Sequence, residues 1–301
     1  MRCAAAFALC VLVLAGCGLG PGAERGGGAE LRVTRDFGHE RLGAVRVKKV
    51  REDQTVMRLL RSRFDVATRY GGRFVQSIDG LSGRGVAGHL DWFYFVNGVE
   101  ADVGAAEYEL SPGDVVQWDY RRWDAAMRVP AIVGTFPEPF LHGLKGKRYP
   151  VRVECADESS RSCRLVKGRL ERLGAAPTGA SLGTSGTRNV LRVVVAPWRQ
   201  AKIVSAVAGL GKGPRQSGVF ARFARGGREL DLLGPGGEVA RRAPPGTGLV
   251  AAFAPSEQEI VWLLTGLDER GLDAAARALD ESTLRDAYSV AAMPGATVKL
   301  P

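Results

Sequence analysis

The chain has 301 residues, a formal net charge of +10, 45% apolar and 25% charged residues. Those fractions are ordinary for globular protein and exclude disorder beyond short tethers, while the length sets a prior of two domains. The basic residues are scattered among acids, with Arg121-Arg122 and Arg241-Arg242 as pairs rather than a stripe. Nucleic acid is therefore not an expected partner, whereas anionic lipid or cell-wall polymer suits a basic exported chain.

Residues 3 to 14 follow Met1-Arg2 without a charge, the positively started apolar core of a secretory signal. The run is too short to span a bilayer, which takes about 20 apolar residues. It leads into Leu14-Ala15-Gly16-Cys17, which resembles the bacterial lipobox. That resemblance implies cleavage after residue 16 and a diacylglyceryl group thioether-linked to Cys17. The expected protein is thus exported and held by its lipid at the outer face of the cell membrane. Two acyl chains anchor stably where one binds reversibly. Residues 17–30, rich in glycine, form a flexible tether after the signal at 1–16.

Of five cysteines, Cys3 and Cys10 leave with the signal and Cys17 is modified, so Cys155 and Cys163 remain. In an oxidising compartment thiols at this spacing make a natural bridge, worth about 2–3 kcal/mol. His39, His89 and His142 stand far apart in sequence with no paired Cys or His, so no metal site is expected.

From residue 31 the alternation is legible. Leu31-Arg32-Val33 and Val45-Arg46-Val47 read as half-buried strands of a hairpin. Residues 55–64 place Val56, Leu59, Leu60 and Phe64 on one helical face, with Asp53 or Thr55 as N-cap. Strands follow at 73–78, 91–96 and 114–120, separated by Asp79-Gly80, Asn97-Gly98 and Pro112-Gly113 turns. A hairpin, a helix and further strands predict an α+β fold class, with a β-grasp domain over 31–125 in which a mixed sheet packs on one helix.

Several motifs in this stretch carry a resemblance: Ser77-Ile-Asp-Gly-Leu81, Trp92-Phe-Tyr-Phe-Val-Asn-Gly98, Gly104-Ala-Ala-Glu-Tyr108, Leu110-Ser-Pro-Gly-Asp114 and Trp118-Asp-Tyr120. In this order they are similar to the bacterial domain family related to the C-terminal domain of transcobalamin and intrinsic factor. The resemblance implies a β-grasp module on secreted or surface-anchored proteins, a cobalamin-like ligand by analogy, and in some bacteria a link to energy-coupling-factor vitamin importers.

Strand alternation puts Trp92, Tyr94 and Val96 on one face and Phe93 and Phe95 on the other, with Val116, Trp118 and Tyr120 aligned on the last strand. With Phe93 and Phe95 against the helix, Trp92, Tyr94, Trp118 and Tyr120 face outward. Together with Asn97 they are the ligand-binding candidates, since amphipathic rings suit a flat organic ligand or a partner protein. The competing reading has these rings as packing beneath a second domain.

Residues 126–150, rich in Pro and Gly, read as a linker. Beyond it, 151–301 is expected to be an α/β or α+β domain. It has strands near 149–155, 189–195, 218–223, 229–233, 248–253 and 259–264, and helices over 159–173, 201–210 and 268–279. Its loops support little chemistry. Gly209-Leu-Gly-Lys212 lacks the spacing of a phosphate loop and reads as a turn. Asp268 reads as a helix cap. Ser217, Asp231 and His142 make a triad only on paper, because no serine sits in a nucleophile elbow. No catalytic residue is expected. The sequence points to a surface-anchored lipoprotein that binds a small organic ligand, with a vitamin-type transporter as a possible partner; the alternative is an envelope lipoprotein that docks another protein through the sheet.

Overall fold

The computed structural model describes residues 24–256 and 258–301. The expected signal, Cys17 and the tether up to residue 23 lie outside the described residues. The described chain is a sheet-rich mixture of α and β built on two principal sheets.

The first sheet has five strands in the order Glu40–Val47, Ala29–Arg35, Val115–Arg122, Leu90–Val96, Val99–Glu100. The two central strands, Ala29–Arg35 and Val115–Arg122, run parallel, and the other pairings are antiparallel. One helix, Val56–Arg61, supplies Val56, Met57, Leu59 and Leu60 to the buried cluster on one face. The Thr55 hydroxyl accepts from the Arg58 amide at 3.2 Å and caps its start. At its other end the Ser62 hydroxyl donates to the Leu59 carbonyl at 2.7 Å, so the helix stops before Phe64, which stays buried. A three-stranded ribbon, Val66–Arg69, Phe74–Ile78 and Leu81–Ser82, follows.

The second sheet has seven strands, in the order Pro177–Ser181, Val151–Cys155, Val190–Val195, Glu259–Gly266, Gly248–Ser256, Ser289–Met293, Ala296–Leu300. Its first four strands are parallel and the rest antiparallel. Helices Arg161–Arg172 and Glu269–Ala278 cover one face. Residues 198–217, with the small sheet Ala221–Ala224, Glu229–Leu233 and Val239–Arg242, cover the other. The Val190–Val195 strand is therefore buried on both sides, as its apolar run predicts. Its one charge is Arg192, which holds Glu154 through two hydrogen bonds of 2.7 and 2.9 Å.

Asp268 accepts from the Gly271 amide at 2.7 Å and so caps the last long helix. Glycines bring that helix tight against the sheet: a Cβ on Gly266 would lie 2.6 Å from the Gly271 carbonyl carbon. Cys155 and Cys163 are joined by a disulfide, with Cα atoms 6.1 Å apart. The aromatic residues of the 126–150 segment turn inward, with Phe136 and Phe140 packing 5.8 and 5.1 Å from Trp262. This segment is a wall of the second core, beyond what Pro and Gly content alone conveys. The strands at 177–181, 289–293 and 296–300 have no counterpart in the sequence reading, being short and weakly alternating.

The second face of the first sheet lies against the second unit. Phe37, Phe95, Val129, Ile132, Phe220 and Tyr288 form one buried cluster drawn from both. Around it runs a buried polar seam. The Asp119 carboxylate accepts from the Thr34 hydroxyl (2.6 Å), the Phe37 and Gly38 amides (3.0 Å each) and the Tyr288 hydroxyl (3.1 Å). Burial pushes its pKa up against the pull of those donors. The fully buried Arg121 guanidinium lies 3.8 Å from the Phe93 ring centroid and donates to the Ala126 and Met127 carbonyls at 2.8 and 3.0 Å. Gln117 donates to the Asp286 carbonyl at 2.9 Å, and Arg32 and Arg41 both reach the Asp286 carboxylate.

Candidate functional site

The structure corrects the expected orientation of the aromatic strands. Trp92, Tyr94, Trp118 and Tyr120 form the core beneath the helix and are 5, 9, 3 and 7% exposed. Three of their polar ends serve the unit itself, while Trp118 Nε1 is buried without a hydrogen-bond partner. Trp92 Nε1 donates to the Leu81 carbonyl (2.9 Å), the Tyr94 hydroxyl to that of Val103 (2.6 Å) and the Tyr120 hydroxyl to that of Ser82 (2.8 Å). Trp118 stacks on Tyr94 with centroids 4.8 Å apart. Phe95, expected against the helix, faces the second unit instead, 5.4 Å from the Tyr288 ring. The physical reason is the partner supply: loop carbonyls at the ribbon end meet the polar rings, whereas wholly apolar Phe95 suits a dry junction.

Asn97 is buried and fully committed. Its amide donates to Asp114 Oδ1 (2.8 Å) and the Gly143 carbonyl (2.7 Å), and its Oδ1 accepts from the Val115 amide (2.8 Å). With φ +50° at Asn97 and +82° at Gly98, this turn clasps the 126–150 segment to the sheet. Burial raises the Asp114 pKa to about 6, against the Ser111 amide and Asn97.

A cleft opens beside this turn, a cavity of about 250 Å³ to which both units contribute. Val96, Val99 and Leu144 give it an apolar side. Tyr108 and Tyr149 give it rings, and Lys145 and Lys147 give it positive charge. Left-handed Gly143, Lys145 and Gly146 make the tight turn that presents these lysines, closed by paired Leu144 and Lys147 backbones. Lys147 lies 5.6 Å from the Tyr149 ring centroid, and Lys145 is 3.6 Å from Asp102. Asn189 and Gln258 close the far side, with the Asn189 amide donating to the Gln258 carbonyl at 2.7 Å. Glu100 also contributes to the wall. Burial pushes its pKa up to about 7, opposed by Arg121 and Arg128. A neighbouring depression of about 380 Å³, edged by Glu107 and Glu109, shares Tyr108 and Lys145.

The arrangement can bind but shows no reactive pair. Ser217 donates to the Gly213 carbonyl, Asp231 pairs with Arg222, and His142 pairs with Glu138, so the paper triad is not assembled. Among the described residues no three His, Cys, Asp or Glu side chains gather as metal ligands. Tyr108, Lys145, Lys147 and Tyr149 escaped the sequence reading as site residues. The signal available was the Gly143-Leu-Lys-Gly146 turn, which throws its lysines outward.

Residues 53–122 match the model of a domain of unknown function (DUF4430). No curated protein matches the chain. Among solved structures, the chain is similar to haptocorrin in complex with Cbi at 14% identity and a TM-score of 0.27, over 33% of this chain and 26% of haptocorrin's. It is also similar to a candidate metal-binding protein from Ruminococcus gnavus ATCC 29149, at 13% identity and a TM-score of 0.28, over 32% of this chain and 98% of that one.

Proposed function

We propose that this chain is an exported lipoprotein, anchored through Cys17, that captures a small organic ligand in the Tyr108–Tyr149 cleft. The observation carrying the proposal is the convergence of two rings and two lysines on an apolar wall where the units meet. Such a lining, apolar with a few placed polar groups, is what small-molecule sites have in common. The cleft's volume of about 250 Å³ falls just below the usual range of about 300–1,000 Å³. The ligand is therefore a compact one, of one or two rings with an acidic group facing Lys147, since Lys145 is paired with Asp102. A corrinoid would present only an edge here. We assign the first unit to the β-grasp class, on its mixed five-stranded sheet with one helix across a face. An accessory role beside a vitamin-type importer belongs to the same proposal. The reading in which the sheet docks a partner protein finds less support, since both sheet faces are covered within the chain.

The test is native mass spectrometry of the full chain extracted from membranes. A bound small molecule is expected, and Lys147→Met with Tyr149→Ala should lose it while keeping the far-UV spectrum. Retention of the molecule by that double variant removes the cleft assignment. For the anchor, Cys17→Ser should release the protein from membranes or leave its precursor uncleaved, and a processed variant that still fractionates with membranes refutes it.

A further inference from the structure

A larger cavity, about 560 Å³, opens where the turn at 36–39 meets strands Glu229–Leu233, Val239–Arg242 and Ala296–Leu300. Its floor is apolar: Phe37, Leu232, Leu233 and Leu300 are buried side chains from the junction and from the second core. Two cations stand in its wall, Arg241 and Lys299. Among the described residues neither has a carboxylate within 4 Å; the contact Arg241 makes is to Met293 Sδ at 4.0 Å. Lys299 is half-buried, and burial lowers its pKa. The acid whose charge reaches it, Asp286, is already held by Arg32 and Arg41, and Arg41 itself repels the ammonium. The remaining titratable side chains of the lining, Asp36 and His39, are exposed at the rim, where the His39 ring contacts the Asp36 carbonyl at 2.6 Å.

A half-buried ammonium with no carboxylate beside it has lost water without gaining a counter-charge, and a bound anion supplies one. An apolar floor next to such a cation selects an anion that carries an apolar body. We infer that this cavity is a binding site for an amphipathic organic anion, an aryl or short-chain carboxylate. Its body covers Phe37, Leu232 and Leu300, and its carboxylate meets Lys299 and Arg241. The site is separate from the Tyr108–Tyr149 cleft and stands or falls without it.

Equilibrium dialysis of labelled 4-phenylbutyrate against the full chain in lipid nanodiscs, with empty nanodiscs as the blank, tests the assignment. Neutral 4-phenylbutan-1-ol serves as the counter-probe. Charged hydrogen bonds of this kind correspond to about tenfold or more in affinity. The acid should therefore bind at least about tenfold more tightly than the alcohol, and Lys299→Met and Arg241→Gln should each remove most of that advantage. Ala240→Trp, at the rim and touching neither charge by design, should block both probes. Arg241 is exposed, so Arg241→Gln carries the test if Lys299→Met fails to fold. Absence of binding, equal binding of acid and alcohol, or unchanged acid binding in the folded charge variants overturns the inference. So does loss of acid binding on Tyr149→Ala, which would place the probe in the other cleft.

Discussion

Phe95→Ala is the sharpest test of how the two units are joined. Phe95 is wholly buried, yet it belongs to neither unit's own core, lying instead in the cluster with Phe37, Ile132, Phe220 and Tyr288. Emptying such a site costs about 3–5 kcal/mol, because the surroundings close only partly around the cavity. The edge-on contact with Tyr288, at 5.4 Å between centroids and 79° between planes, contributes about 0.5–1.5 kcal/mol within that total. A whole protein of this kind is stable by only about 5–15 kcal/mol. Urea unfolding of the full chain should therefore show a midpoint far below that of the parent. Tryptophans report from both sides, Trp92 and Trp118 within the first core and Trp198 and Trp262 within the second. If Phe95 bridges the units, both sets should respond, either by a common shift or by separation into two transitions. A Phe95→Ala chain that unfolds within about 0.5 kcal/mol of the parent behaves as a surface substitution and refutes the junction described here.

Three further outcomes follow from the buried charges and the disulfide. The Glu100 carboxyl, raised from 4.5 to about 7 by burial, keeps in the folded state a proton that the unfolded chain releases. Its contribution is complete below pH 4.5 and is lost as pH rises towards 7, by roughly 3 kcal/mol. Glu100→Gln should flatten the stability profile between pH 5 and pH 8 in thermal melts, and an unchanged slope would contradict the assignment. Arg192→Met takes the bidentate partner from the Glu154 carboxylate, itself 0% exposed, and leaves Arg152 at 2.9 Å as its one remaining arginine, so it should destabilise by less than the about 3–5 kcal/mol of a fully stranded buried charge. Adding Glu154→Leu should recover much of that loss in the same denaturation assay, whereas additive losses would argue against a paired charge. Replacing Cys155 and Cys163 together by Ala should lower unfolding free energy by about 2–3 kcal/mol for so short a closed loop, and peptide mapping without reductant should show the two joined in the parent.

Much of the local structure was legible from residues. Thr55 as cap, the Val56–Leu59–Leu60 stripe, the Asn97-Gly98 turn, the doubly apolar Val190–Val195 strand and the Cys155–Cys163 pair all lie where their chemistry indicates. Each depends on neighbours in sequence or on one short closure. The cleft at Tyr108 and Tyr149 was not legible, because these two residues are 41 positions apart and meet through tertiary contacts such as the Asn97–Gly143 clasp and the Val99–Ala131 bridge.

By itself the sequence determined that Trp92 and Tyr94 must part from Phe93 and Phe95, since successive side chains on a strand point to opposite faces. Which set went under the helix was decided only by tertiary structure. Alternation identifies an inside and an outside only when one face meets water, and here neither does. The polar residues that alternate with the apolar ones on the two parallel strands, Arg32, Thr34, Gln117, Asp119 and Arg121, are all buried. They tolerate burial because the second unit brings Tyr288 and Asp286 and backbone amides and carbonyls meet most of their polar atoms, Gln117 Oε1 and Arg121 Nε being left without a partner. A polar group costs little inside a protein once its partners are in place. Those partners are more than a hundred residues away along the chain in Tyr288 and Asp286, beyond the reach of any pattern in the strand itself.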